Sequence, residues 1–258
     1  MRSSQPSLAE LRAVTQPPEL VGRRSAEHWA GRLYMRRVSA HVTRRVLGLP
    51  VTPNGWTVLM IVVGVAGAAI LAVPGLWTAV VAALAIQAYL LLDCVDGEVA
   101  RWRRTTSAAG VYLDRLGHYT VEAVLLAALG VRVDGGYAAI GFGTVVGLAT
   151  AVLALLSKAE TDLVVVARTS AGLPTDTERD AAPRTSTLRG IRRVFALVPV
   201  HRVIGGIELS LLAVVAAAVD TVTGTSVGSR VLLGIAAAAA AIVAVGHPVA
   251  ILSSQRLR

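Results

Sequence analysis

The stretch Asp93-Cys94-Val95-Asp96-Gly97-Glu98-Val99-Ala100-Arg101 is followed, after eight residues, by Gly110-Val111-Tyr112-Leu113-Asp114-Arg115-Leu116-Gly117-His118. It sets a knot of charge at the join of two long apolar runs, one beginning at Leu76 and the other ending at Gly130. About 20 apolar residues suffice to cross the hydrocarbon core as a helix, so the two runs predict a transmembrane hairpin whose polar join lies at one membrane surface. A carboxylate at mid-bilayer costs roughly 2.5–3.5 kcal/mol on insertion scales. So many ionisable groups therefore require a polar cavity with cations or arginines as partners.

Outward from the hairpin the same composition continues. The 258 residues are 54% hydrophobic and 16% charged, too apolar for a soluble domain of this length. Six spans are expected: Gly55 to Val73, Leu76 to Arg101, Ser107 to Gly130, Gly136 to Lys158, Val203 to Val222, and Arg230 to Leu252. The fold class is thus an all-α integral membrane protein, with residues 51–258 as one six-span domain and 1–50 as a polar segment with a juxtamembrane helix. That helix is predicted from Met35, Val38, Val42, Val46 and Leu49, which recur at spacings of three and four beside arginines, and it is expected to lie on the inner leaflet. Residues 1–25 are expected to be disordered and Thr169 to Arg184 to form a loop. The polar, Pro-containing start does not read as a cleavable signal peptide.

The net charge of +9 suggests nucleic acid only until the arginines are placed. They gather beside spans: Arg36, Arg37, Arg44 and Arg45 before the first, Arg101, Arg103 and Arg104 after the second, Arg184, Arg189, Arg192 and Arg193 after the fourth, and Arg256 and Arg258 at the end. The opposite turns, around Pro74-Gly75, Val131 to Gly135 and Thr223 to Gly228, hold only Arg132. The positive-inside rule then puts both termini and the second and fourth connections in the cytoplasm of a bacterial-type inner membrane. Membrane lipids, not nucleic acid, are the expected surroundings. A lone cysteine, Cys94, excludes an internal disulfide framework and a multi-cysteine metal site, and reads as a small core residue.

Helix geometry groups the hairpin's charges. Asp93 and Asp96 are three apart and share a face, while Asp114, His118 and Glu122 follow at four-residue steps on one stripe. Two acidic stripes on antiparallel helices can converge, and hard divalent cations prefer such oxygen ligands.

Written as a pattern, the hairpin is D-x2-D-G-x2-A-R-x8-G-x3-D-x3-H over Asp93 to His118. It resembles the signature of the CDP-alcohol phosphotransferase family, which has a fourth aspartate where this chain has His118. Thr52-Pro53-Asn54 and Thr57 also resemble the usual start of the family's first span. The resemblance implies a six-span, usually dimeric enzyme in which a hydroxyl attacks the β-phosphorus of a CDP-alcohol and CMP leaves. It implies Asp93, Asp96 and Asp114 as ligands for two Mg2+ or Mn2+ ions, and Asn54, Gly97, Gly110 and Arg101 as the nucleotide side of the site. His118 is then the general base in place of aspartate, with Glu122 orienting its ring. CDP-diacylglycerol is the favoured donor, and a polyol, polyol phosphate or lipid the acceptor. A CDP-alcohol-binding protein without turnover and a cation transporter are the alternatives; the latter leaves Gly97, Ala100, Arg101 and Gly110 unexplained.

Weaker candidates lie further out. Glu208 and His247 are candidate acceptor-pocket groups, and Lys158, Arg168, Arg192, Arg193 and Arg202 are candidates for clamping an acceptor phosphate. Gly143 and Gly147 form a GxxxG pair that signals close helix contact or dimerisation.

Overall fold

A computed structural model of the chain describes residues 6–17, 29–174, 200–254 and 257. Among the described residues there are helices and no strands, and six helices are long and apolar enough to cross a membrane. In chain order the elements are α1 (Leu8–Thr15), a π-helical turn (Gly31–Met35) running into α2 (Arg36–Val46), α3 (Pro53–Leu71), α4 (Leu76–Arg103), α5 (Ala108–Val133), α6 (Phe142–Ser170), the short α7 (Val200–Val203), α8 (Gly206–Thr223) and α9 (Val227–Ser253). They fall into two compact units, Met1–Gly67 with Leu84–Val121 and Ala68–Ala83 with Glu122–Arg258.

In α6 and in the middle of α9, residue size sorts the faces opposite to the habit of a soluble helix. Helix α6 buries Gly143, Thr144, Gly147, Thr150, Ala151, Ala154 and Ser157 while exposing Val145, Leu148, Val152, Leu156 and Leu163. Helix α9 buries Ala236, Ala239, Ala240 and Ala244 along its middle, with Leu232, Leu233 and Ile251 buried nearer its ends, and turns Val231, Ile235, Ile242, Val245 and Leu252 outward. Small residues let helix backbones approach where no hydrophobic drive separates protein from lipid, and large apolar side chains meet the acyl chains. The GxxxG pair serves this packing within the chain: a Cβ on Gly130 would lie 2.4 Å from the Gly143 carbonyl oxygen, and one on Gly147 would lie 2.9 Å from the Gly130 Cα. Helix α9 packs in turn against α6 and α8.

Several expected boundaries move, each for a local reason. The fourth span begins at Phe142 and not at Gly136, because Gly135 and Gly136 turn at φ +105° and +100° and Asp134 then caps the next helix. Its carboxylate accepts from the N–H groups of Gly141 at 2.9 Å, Gly143 at 3.0 Å and Thr144 at 2.6 Å, and from the Thr144 hydroxyl at 2.7 Å. The same helix runs on to Ser170, so Thr169 is helical; the rest of the expected loop from residue 175 on, with Arg184, Arg189, Arg192 and Arg193, lies outside the described residues, as do Arg256 and Arg258. The fifth span starts at Gly206, the sixth at Val227, and the third continues to Val133.

The Thr144 side chain and backbone, ahead of the two glycine N–H groups, hold the Asp134 carboxyl below its usual range. A depressed carboxyl contributes stability that is present above its unfolded value and lost as pH falls through the folded one. The difference in Tm between the unaltered protein and Asp134→Ala should therefore be constant at neutral pH and shrink only below about pH 4. Thermal scans at stepped pH in detergent check this.

In the N-terminal unit, part of the segment expected to be disordered is a helix. Ser7 and Glu10 form a reciprocal cap, the Ser7 hydroxyl accepting from the Glu10 N–H and the Glu10 carboxylate from the Ser7 N–H, and α1 follows. Residues 1–5 and 18–25 lie outside the described residues.

The apolar stripe expected on α2 is also divided. Val42 and Val46, with Leu47 and Val51, pack on a core of Trp56, Val95 and Val99, while Val38 and Leu49 are outward. The most buried face of α2 is instead Ser39, Ala40 and Thr43. Periodicity in apolar residues could not show this, because the face is polar and is matched to a buried carboxylate.

Candidate metal and nucleotide site

Two helix ends and one sharp reversal align the hairpin. Thr52 precedes Pro53 at the start of α3, and its hydroxyl accepts from the Gly55 N–H at 3.1 Å, the arrangement of a capping threonine followed by a first-turn proline. Helix α4 stops at Arg104, which takes the left-handed conformation at φ 53°, and the Thr105 N–H reaches back to the Ala100 carbonyl at 2.9 Å. Ser107 accepts from the Gly110 N–H at 3.1 Å and starts α5. Arg103 fastens the turn to the end of α2 through the carbonyls of Leu47 at 3.0 Å, Leu49 at 2.8 Å and Val51 at 2.5 Å.

Asp93 and His118 each stand ten residues from the turn-side ends of their antiparallel helices, about 15 Å at 1.5 Å per residue. Their shared depth brings them together: His118 Nε2 lies 3.2 Å from Asp93 Oδ1 and 3.4 Å from Asp114 Oδ1. One ligand atom from each of Asp93, Asp114 and His118 fits within 4.8 Å of the others. The carboxylate oxygens of Asp93 and Asp114 suit a hard divalent cation, so they fit the implied ion, and the imidazole nitrogen beside them is a group that can accept a proton.

The His118 ring is held from its other side by Tyr89. The tyrosine hydroxyl hydrogen-bonds Nδ1, and the two rings meet edge to face at 86° with centroids 5.6 Å apart. A hydroxyl can donate or accept, so Tyr89 can hold either neutral tautomer. Sequence reading missed Tyr89, although its position four residues before Asp93 puts it on the same helical face.

Asp96 is near but differently engaged. It is buried and accepts from the Thr57 hydroxyl at 2.6 Å, which ties α3 to α4. Arg101 folds back along its own helix so that its guanidinium covers Gly97; a Cβ there would lie 3.0 Å from Nη1 and 3.3 Å from Nη2. Its Nε donates to the Thr15 carbonyl at 2.7 Å. The space at Gly110 faces Asn54, whose Oδ1 would be 3.3 Å from a Cβ at 110. Asn54 and Gly110 are therefore neighbours, as are Arg101 and Gly97.

The outlying candidates pair elsewhere. Glu122 forms an ion pair with Lys158 at 3.0 Å, while the His118 nitrogens face Tyr89 and the two aspartates. His247 Nδ1 lies 3.2 Å from both Glu160 Oε2 and the Ser157 carbonyl. Arg168 is buried and donates to the Pro174 carbonyl at 2.8 Å, and Arg202 is exposed. Glu208 turns toward Gly205, whose Cβ would lie 3.2 Å from its Oε2. Cys94 is a buried free thiol. Arg192 and Arg193 lie outside the described residues.

In comparison with known proteins, a family model described as CDP-alcohol phosphatidyltransferase matches residues 50–245, which is most of the chain. A search of curated proteins gave no match.

Proposed function

Because the chain belongs to the CDP-alcohol phosphatidyltransferase family, we propose that it transfers a phospho-alcohol group from a CDP-alcohol to a hydroxyl acceptor and releases CMP. CDP-diacylglycerol is the favoured donor, and a polyol or polyol phosphate the favoured acceptor. The observation that carries the reading is the convergence of Asp93, Asp114 and His118 at one depth of the α4–α5 hairpin. Asp96, one turn along from Asp93, completes the acidic set.

Divalent ions, Mg2+ or Mn2+, held by Asp93, Asp96 and Asp114 would neutralise the pyrophosphate for attack and departure. The remaining work falls to the protein's own groups. Arg101 presents a planar fork to a phosphate, and Asn54 and Gly110 form the narrow wall of the nucleotide side. His118 takes the proton from the attacking hydroxyl at Nε2, with the Nδ1 proton donated to the Tyr89 oxygen. The new bond joins the acceptor oxygen to the β-phosphorus, and the bond from that phosphorus to the CMP oxygen breaks. The Arg-rich end of α4 lies on the cytoplasmic face of the cell membrane, and the enzyme works as a homodimer.

The replacement of the family's fourth aspartate by His118 favours a second reading, in which the site binds a CDP-alcohol without turnover. One experiment separates the two. Purified protein in detergent, with Mg2+ or Mn2+, is offered CDP-diacylglycerol and CDP-linked polar alcohols against polyols, polyol phosphates and lipids. CMP release that requires both metal and acceptor is expected. Metal-dependent donor binding without release from any pair would overturn the transferase reading in favour of the second.

A further inference from the structure

Glu98 is the most deeply buried carboxylate of the hairpin, with no exposed surface, and the signature leaves its position free. A buried charge is costly unless its oxygens are matched by donors. Here the donors come from the N-terminal segment. Ser39 donates to Oε1 at 2.5 Å, Thr43 to Oε2 at 2.6 Å and Gln16 to Oε1 at 2.8 Å, and the Arg36 guanidinium stands 3.8 Å away. Gln16 also donates to the Arg36 carbonyl at 2.9 Å, which ties the end of α1 to the start of α2.

The residue before Gln16 completes a two-point clamp. The carbonyl of Thr15 receives Arg101 Nε at 2.7 Å, and Glu98 and Arg101 are neighbours on one face of α4. With Nε committed to Thr15, the plane of the guanidinium is set, and the terminal nitrogens lie over Gly97. We infer that α1 is a working part of the donor site: Glu98 and Gln16 are positioning residues that hold the Thr15 carbonyl where it orients Arg101 toward the donor's pyrophosphate. The inference rests on the transferase reading above.

The test is a double-mutant cycle on donor kinetics in the full-length protein, using CDP-diacylglycerol or whichever CDP-alcohol supports release. Gln16→Ala removes one arm of the latch and leaves Ser39 and Thr43 on Glu98, so the fold survives where Glu98→Ala could lose it. The KM for the donor should rise about tenfold, with kcat and the acceptor KM within about twofold, because a mispositioned clamp loses orientation before chemistry. Arg101→Lys keeps the charge but has no Nε fork to orient. In that background Gln16→Ala should change the donor KM by less than about twofold.

Equal effects of Gln16→Ala in both backgrounds would overturn the inference and leave the transferase reading standing. So would faster turnover in Gln16→Ala, which would mean that the segment obstructs the donor. No CMP release from the unaltered protein would instead overturn the transferase reading, and the positioning role with it.

Discussion

Asp93→Asn should lower CMP release by about a thousandfold or more, the loss expected when several kcal/mol of transition-state charge stabilisation depend on one ligand. Asp93 offers an oxygen to the cluster with Asp114 and His118, and asparagine keeps its shape without its charge. The fold should tolerate the change. An amide can accept from or donate to His118 Nε2, whichever protonation state the ring holds, and Asp93 is partly exposed, with 25% of its side-chain surface open. Metal-free Tm should therefore shift little, whereas any rise in Tm on adding Mg2+ or Mn2+ should disappear. Turnover close to that of the unaltered protein would remove Asp93 from the ligand set. The companion variant His118→Ala separates base from scaffold: it should abolish turnover yet bind the CDP-alcohol, and undiminished turnover would sink the assignment of His118 as base.

The second large effect is on stability. Arg132 is buried in its unit, 3% exposed, and donates to the end of α3 with its following turn and to the start of α9. Its guanidinium donates to the carbonyls of Leu71 at 3.3 Å, Val73 at 2.8 Å and Gly75 at 2.7 Å, and to the Ser229 hydroxyl at 3.2 Å. Ser229 passes the connection on to Asp220 at 2.5 Å, and Asp220 also accepts from the Gly228 N–H at 2.6 Å at the start of α9. Arg132→Met preserves the bulk but takes the donor from the buried Leu71 carbonyl and uncouples the turn after α3 from Ser229, while the exposed Val73 and Gly75 carbonyls keep the Thr78 hydroxyl at 2.7 and 2.8 Å. It should cost roughly 1–3 kcal/mol, the range for one buried acceptor left without a donor. Arg132→Lys should recover only part, because a single ammonium cannot span those carbonyls and Ser229 together. Scanning fluorimetry in detergent reads the order Arg, Lys, Met; equal Tm values would show the network to be dispensable.

Arg132 also illustrates what a one-dimensional reading cannot reach. In sequence it is a lone arginine in the turn from Val131 to Gly135, whereas in the structure it is a buried cap on helix ends. The charge rule counts residues near a span, while burial depends on which carbonyls other segments bring within reach. Glu98 is a similar case. Its charge was visible at the hairpin, but its partners Gln16, Ser39 and Thr43 lie more than fifty residues earlier and form a polar face without apolar periodicity. The GxxxG pair at Gly143 and Gly147 was legible as close helix contact, and tertiary structure shows the neighbour to be Gly130 of the same chain.

What sequence alone determined was set by short-range physics. Apolar runs long enough to cross a bilayer specify six helices, and residues three or four apart must share a helical face. Those rules made the hairpin and its acidic stripes legible, and the spacing of the signature carried the family. Tertiary packing decided which members of the stripes meet. Asp93, Asp114 and His118 converge because each helix brings them to matching depth, Asp96 turns to Thr57, and Glu122 finds Lys158. Partner choice depends on helix rotation and on contacts between distant segments, and the spacing of residues along one helix specifies neither.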